Sequence, residues 1–281
     1  MRDFRLLLCT DLDRTLLPNG AQPESPQARR RFAALASHPQ VTLAFVTGRD
    51  RARIERAINN YLLPNPDFVI SDVGTNIYDM RGGLWQVWTE WQKEIAPDWN
   101  GFSHHQLSRL LSEFSQLRLQ QVNKQNTFKL SYYFSLHVDQ GRLDADIQQC
   151  LQQEQIHASL IWSVDEPAGI GLLDVLPKRA TKLHAMEFLQ TVLGFAQSEI
   201  LFAGDSGNDL PVLASPIPAV LVANAMSSVA TQAVAAAEAS GNRQALYLAQ
   251  GDFLGMNGNY SAGILEGVAH YHPELIGLFD A

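Results

Sequence analysis

Short apolar runs that stop at polar residues recur along the 281-residue chain. Residues 5–10 (RLLLCT), 40–47 (QVTLAFVT) and 68–71 (FVIS) form the first group, and 170–176 (IGLLDVL), 199–203 (EILFA) and 218–223 (PAVLVA) the second. Runs that are apolar at consecutive positions predict strands buried on both faces of a parallel sheet. Between them, residues 24–38, 49–62, 180–193 and 208–214 read as helices. Strands alternating with helices predict a doubly wound α/β fold.

The alternation lapses between about residues 80 and 170. This glutamine-rich stretch carries Trp85, Trp88, Trp91, Trp99 and Trp162. Residues 104–118 and 141–155 read as helices, and 127–138 and 157–164 as strands. The pattern predicts a Rossmann-like parallel-sheet core over 1–79 and 172–281, with a smaller α+β cap inserted over 80–171. No repeat of fixed period is present.

Composition narrows the classes. Hydrophobic residues make up 46% and charged residues 18%, an ordinary globular balance. A net charge of −8 argues against a broad nucleic-acid surface. Cys9 and Cys150 are too few for a disulfide framework, and neither belongs to a CxxC pair. The apolar run in MRDFRLLLCTDLD stops at Asp11, short of a signal peptide's roughly 7–15 apolar residues. The most apolar longer stretch, 217–239, is interrupted by Asn224 and Gln232. The expectation is a cytoplasmic monomer that meets neither membrane nor nucleic acid.

In open α/β sheets, ligands bind beyond the carboxyl ends of the strands. The first run is followed by Asp11-Leu12-Asp13-Arg14-Thr15. Two carboxylates this close suit a divalent cation, or a nucleophile beside an acid/base group; they also suit an ordinary turn. The second run ends in Thr47-Gly48-Arg49-Asp50, where a hydroxyl, a glycine and a helix start make either an anion site or a plain helix cap. Lys182 opens a helix and offers a point charge to phosphate, with Lys178 as its competitor. The run EILFA leads into Gly204-Asp205-Ser206-Gly207-Asn208-Asp209, which adds two more carboxylates. G-D-S-G also surrounds the nucleophile of chymotrypsin-like proteases, but that chemistry needs an all-β frame and a positioned histidine. Here the segment lies between a strand and a helix. His270 and His272 follow the last helix-like stretch and read as surface histidines.

Taken in order, DxDxT, a strand ending in threonine, a lysine and GDSxND resemble the haloacid-dehalogenase-type (HAD) phosphohydrolases, and the insertion resembles their α/β-capped branch. A narrower resemblance is to the sucrose-phosphate phosphatases. It rests on 68–78 (FVISDVGTNIY), 128–133 (FKLSYY), 174–182 (DVLPKRATK) and 261–271 (SAGILEGVAHY), and it extends over most of the chain. Asn76 stands where that family often has glutamate, and Leu183 where it usually has glycine.

The resemblance implies a Mg²⁺-dependent phosphomonoesterase of sucrose biosynthesis, acting on a small sugar phosphate, with sucrose 6F-phosphate first. It implies Asp11 as the nucleophile that forms an aspartyl-phosphate and Asp13 as the general acid/base. Thr47, Gly48, Lys182 and Asn208 would hold the phosphoryl oxygens. Mg²⁺ would sit between Asp11, the Asp13 backbone carbonyl and Asp205, with Asp209 in support. Lys129 and Ser131 of the cap, with Asn76 and Arg49 of the core, would contact the sugar; Asn224 matches a position near the active site. The same chemistry accommodates mannosylfructose phosphate, glucosyl- or mannosylglycerate phosphate and glucosylglycerol phosphate, or a phosphomutase. A reading from another class is a non-catalytic partner of a sugar-phosphate synthase. The complete set of acidic residues argues against it.

Overall fold

The computed structural model describes residues 4–280. The chain divides into two compact units, one running to Val87 and resuming at Lys182, the other Trp88–Thr181. The larger unit opens with β1 (Leu6–Thr10), α1 (Ala28–Ala36), β2 (Val41–Val46), α2 (Arg51–Tyr61), β3 (Phe68–Ser71), β4 (Asn76–Asp79) and β5 (Gln86–Val87). The smaller unit contains α3 (Thr89–Ile95), α4 (His104–Leu110), β6 (Arg118–Leu119), β7 (Leu130–Phe134), α5 (Gln140–Gln153), β8 (Ala158–Asp165) and β9 (Ile170–Pro177). The larger unit then resumes with α6 (Lys182–Leu193), β10 (Ile200–Gly204), α7 (Leu210–Leu213), β11 (Ala219–Leu221), α8 (Ser227–Ala239), β12 (Leu246–Leu248) and α9 (Ser261–Tyr271).

In the larger unit eight strands pair in the order β12-β11-β10-β1-β2-β3-β4-β5. The stretch from β12 to β3 is parallel, and β4 and β5 add an antiparallel edge. All five residues of β1 are buried. Leu6 and Leu8 pack with Phe32, Leu43, Ile264 and Val268 on one face. Leu7 and Cys9 point to the other face and are equally buried. A strand covered on both faces must be apolar throughout, which is why the parallel sheet was legible. From β1 the chain builds outward through β2 and β3 on one side and through β10, β11 and β12 on the other. Strand order therefore reverses between β1 and β10, and such a reversal opens a crevice at the carboxyl ends.

The smaller unit is built on a four-stranded antiparallel sheet, β6-β7-β9-β8. Leu143, Ile147 and Leu151 form one face of α5 and pack on Leu130, Tyr132 and Phe134 of β7, with Leu173, Val175 and Trp99. Trp91 is wholly buried, while Trp85, in the larger unit, stands edge-on to Tyr78.

Several expectations are corrected. Residues 170–176 are not a strand of the parallel sheet, since β9 pairs with β7 and β8. Gly171, Leu173 and Val175 are buried while Ile170, Leu172 and Asp174 are partly exposed. This is the period of a strand with one covered face, disguised by two adjacent leucines. The units accordingly exchange at 87/88 and 181/182 rather than at 79/80 and 171/172, because β4 and β5 pair onto the large sheet. The helix expected over 104–118 ends at Leu110, followed by a single turn over Leu111–Glu113. Its buried stripe, Leu107 and Leu111, meets Ser115 at the next position and stops. No helix among the described residues is long and apolar enough to cross a membrane.

Candidate active site

Asp11 follows β1, Thr47 follows β2 and Asp205 follows β10, so three neighbouring strands deliver polar side chains to one edge of the sheet. The Asp11 N–H continues the ladder by donating to the Ala203 carbonyl at 2.9 Å. A tight turn over Gly207–Asp209 then folds Asp209 back on the strand end. Its Oδ2 accepts from the backbone N–H groups of Asp205 and Ser206, each at 3.2 Å. Gly204 makes this return feasible, because a Cβ there would lie 2.7 Å from Asp209 Oδ2.

Lys182, the first residue of α6, joins the two halves of the motif. Its Nζ donates to Asp11 Oδ1 at 2.9 Å, Asp209 Oδ1 at 2.8 Å and Asn208 Oδ1 at 3.2 Å. Carboxylate oxygens of Asp11, Asp205 and Asp209 lie within 4.8 Å of one another, and all three residues are buried. Burial pushes the Asp11 carboxyl up to about 7, with Asp209 and Asp205 adding to the rise and Lys182 opposing it. Burial and Asp209 likewise push Asp205 up to about 6, against Arg14 and Thr15. Burial disfavours the Lys182 ammonium, but Asp11 and Asp209 outweigh it and hold its pKa above the ordinary value. Crowded hard oxygens of this kind suit Mg²⁺, whose charge offsets both the burial and the mutual repulsion that raise the two carboxyls. The residues present therefore fit the ion.

Asp13 has different partners. Arg49 donates to it through a two-pronged contact, Nε to Oδ2 at 2.7 Å and Nη2 to Oδ1 at 2.5 Å. Asn19 Nδ2 donates to Oδ1 at 2.7 Å. Burial alone would raise Asp13; hydrogen bonds from Arg49 and its charge, with Asn19, outweigh this and hold the carboxyl below its usual range. Asn19 Oδ1 also accepts from the Arg14 N–H at 2.8 Å. Arg14 adopts φ 57°, a left-handed conformation uncommon outside glycine. Its Nε lies 3.4 Å from Asp205 Oδ2. Asn224 braces this turn, donating to the Arg14 carbonyl at 2.6 Å and accepting from the Tyr260 N–H at 2.8 Å.

Asp11, Asp13, Thr47, Gly48, Arg49, Asp205 and Asn208 share the walls of one cleft of about 370 Å³, with Arg14 and Met226. Lys182 and Asp209 are buried and join this group through their contacts with Asp11 and Asn208. Asn76 does not line the cleft; it is buried on β4 and donates to Asp72 Oδ2 at 3.5 Å. Lys129 and Ser131 belong to the smaller unit. There Ser131 Oγ donates to Asp174 Oδ1 at 2.5 Å, and Lys129 Nζ lies 3.8 Å from Asp174 Oδ2. Lys178 is an exposed residue of the smaller unit, where it lines a hollow with Gln148, Gln152 and His157. His272 is buried beside Phe4 rather than on the surface, and His270 stacks on Tyr247. Sequence reasoning missed Asn19 and the part played by Arg14. The one available signal was the turn-forming Pro18-Asn19-Gly20.

The sequence matches the family model of the sucrose-6F-phosphate phosphohydrolases over residues 4–272. It is 53% identical over 270 residues to a HAD-like hydrolase of Nitrosococcus oceani, covering 96% of this chain and 72% of that one. A mannosylfructose-phosphate phosphatase of Agrobacterium fabrum is 26% identical over 234 residues, covering 83% and 88%. Among solved structures, the sucrose-phosphatase of Synechocystis, determined with sucrose and phosphate, superposes with a TM-score of 0.68 at 24% identity, covering 95% of this chain and 98% of that one.

Proposed function

The chain belongs to the sucrose-6F-phosphate phosphohydrolase family of phosphatases, and on that footing we propose that it hydrolyses sucrose 6F-phosphate through an aspartyl-phosphate on Asp11. One observation carries this reading. A buried lysine and three buried carboxylates converge where the strand order of a parallel sheet reverses.

The chemistry follows from the residues. Asp11 attacks phosphorus, forming a P–O bond as the bond to the sugar oxygen breaks. A sugar alkoxide leaves poorly, so a proton from Asp13 on the departing oxygen is worth roughly 10²–10⁴-fold. Asp13 then takes a proton from the water that attacks the aspartyl-phosphate, which regenerates Asp11 and releases phosphate. Lys182, Thr47, Gly48 and Asn208 hold the three phosphoryl oxygens, whose charge is spread in the transition state. Asp11, Asp205 and the Asp13 carbonyl, supported by Asp209, would hold Mg²⁺, which supplies positive charge between two anions. In the smaller unit, Lys129 and Ser131 offer the hydrogen-bonding groups that a polyhydroxylated sugar requires.

The test is phosphate release from a panel with Mg²⁺ or EDTA, with Asp11→Asn as control. The panel comprises sucrose 6F-phosphate, mannosylfructose phosphate, glucosylglycerol phosphate, glucosylglycerate phosphate, trehalose 6-phosphate and glucose 6-phosphate. Sucrose 6F-phosphate is expected to lead by about a hundredfold in kcat/KM, close to 2.7 kcal/mol of discrimination. Asp11→Asn should release none. A different leader would retain the chemistry and replace the substrate; turnover by Asp11→Asn would remove the nucleophile.

A further inference from the structure

We infer that Arg49 and Asn19 are positioning residues, a two-sided clamp that sets the Asp13 carboxyl group for proton transfer: protonated against the arriving phosphate's negative charge, it gives its proton to the departing sugar oxygen, and as the carboxylate it recovers one from the attacking water. The inference rests on the role of Asp13 proposed above, and it moves Arg49 from substrate contact to support of the acid/base.

Asp13 needs such support. Its side chain is 45% exposed, and a carboxylate half in solvent, if unheld, divides its time among rotamers. Proton transfer requires one of them, within hydrogen-bond reach of the leaving oxygen. The clamp supplies that selection. The planar fork of Arg49 engages both oxygens, at 2.7 and 2.5 Å, and so fixes the plane of the carboxylate as well as its position. Asn19 closes the other side, at 2.7 Å from Oδ1.

Both jaws are themselves anchored. The Arg49 carbonyl accepts from the Asp72 N–H at 3.1 Å, and its N–H donates to Thr47 Oγ1 at 3.2 Å. Asn19 Oδ1 holds the Arg14 N–H at 2.8 Å. That contact ties the clamp to the left-handed turn between Asp13 and Thr15. With Nε and Nη2 engaged by Asp13 and Nη1 3.4 Å from the Arg53 carbonyl, each nitrogen of Arg49 already has a protein partner.

An ordinary ion pair this exposed adds little to stability, so the difference lies in kinetics. The probes are a sugar phosphate, which leaves as an alkoxide, and p-nitrophenyl phosphate, which leaves as a stabilised phenolate and needs no proton. The quantity compared is kcat/KM, which reports only the steps through departure of the first product. Asn19→Ala and Arg49→Gln should each lower kcat/KM for the sugar phosphate tenfold or more, through kcat, and change that for p-nitrophenyl phosphate less than threefold. Arg49→Lys, which keeps the charge but loses the fork, should not restore the rate. In an Asp13→Asn background neither substitution should add a further loss, since residues acting through one group are non-additive.

Asn19 is exposed, so its alanine variant will fold. A rise in KM with kcat intact, equal losses on both probes, or multiplicative losses in the Asp13→Asn background would each overturn the clamp. If Asp13→Asn itself shows equal losses on both probes, the acid role of Asp13 fails, and the clamp with it. If Asp13→Asn separates the probes but Asn19→Ala and Arg49→Gln do not, only the clamp fails.

Discussion

At the scale of single residues, charge and burial decide what the site tolerates. Asp11 and Asp205, with pKa values near 7 and 6, both lie above the ordinary carboxyl value of about 3.9. At these two sites the folded chain holds more protons than the unfolded chain between about pH 4 and 7, so together they lower stability as pH rises through that window, while His272, held below its ordinary value chiefly by burial, opposes them with one proton. Asp13, with its lowered value, acts in the opposite sense, but only below the ordinary carboxyl range. Thermal unfolding in EDTA should give a lower Tm at pH 7.5 than at pH 5. Mg²⁺ should raise the Tm more at pH 7.5, where the carboxylates are ionised and ready to bind it. A Tm that climbs steadily from pH 4 to 7 in EDTA would contradict this account. The two candidate lysines now separate on geometry. Lys182→Ala should reduce kcat/KM on the order of 10³-fold, while Lys178→Ala should leave it within about twofold. The sequence offered both because each lies near the same strand end; only the direction in which the chain leaves β9 distinguishes them.

Elements show why some patterns can be read and others mislead. β1, β2 and β10 are apolar at nearly every position, Thr10 and Thr42 excepted, because both faces of the sheet are covered. β9 carries a similar run for another reason, since its extra leucine lies on the open face of the smaller sheet. Pro18-Asn19-Gly20 marked a turn at Asn19 but not its role, because that role lies in one side-chain conformation reaching back to Asp13. Close approach leaves a clearer mark. Gly263 and Gly267 of α9 face β11 and the residue after it, where added Cβ atoms would lie 2.9 Å from Val222 Cγ1 and 2.6 Å from Val220 Cβ. Alanine ordinarily favours a helix interior by up to about 1 kcal/mol over glycine. Here overpacking should dominate, so that Gly267→Ala lowers stability by about 1–3 kcal/mol in urea unfolding. The folded fraction should retain its turnover, because Gly267 touches none of the acidic cluster.

On the scale of the whole molecule, the two units differ in how the chain composes them. Residues 88–181 form one uninterrupted segment with their own buried core, including Trp99, Tyr132, Phe134 and Ile147. A fragment limited to these residues should therefore fold by itself and melt cooperatively, followed by circular dichroism. A featureless, non-cooperative trace would show that its core depends on the rest of the chain. The larger unit is assembled from two segments that flank the smaller one. Its doubly wound character was readable from alternation of strands and helices, and the acidic motifs from their place after strands. What the sequence withheld was mostly the exchange points between units, because β4 and β5 are short and their pairing is long in consequence but slight in pattern.

The central position of β1 has a consequence for how the protein is made. β1 leaves the ribosome well before its neighbour on one side, β10, with which it pairs Leu7 to Ile200. Thr15 and Asp205, which touch in the finished site, lie 190 residues apart in sequence. At about 5–20 residues per second, that separation is roughly 10–40 s of translation. Throughout this interval an apolar strand edge waits unpaired on one side, while the smaller unit, complete in sequence before β10 emerges, is free to fold. The nascent chain is thus most exposed to misassociation just before β10 appears, and the acidic cluster comes into being only when that danger ends.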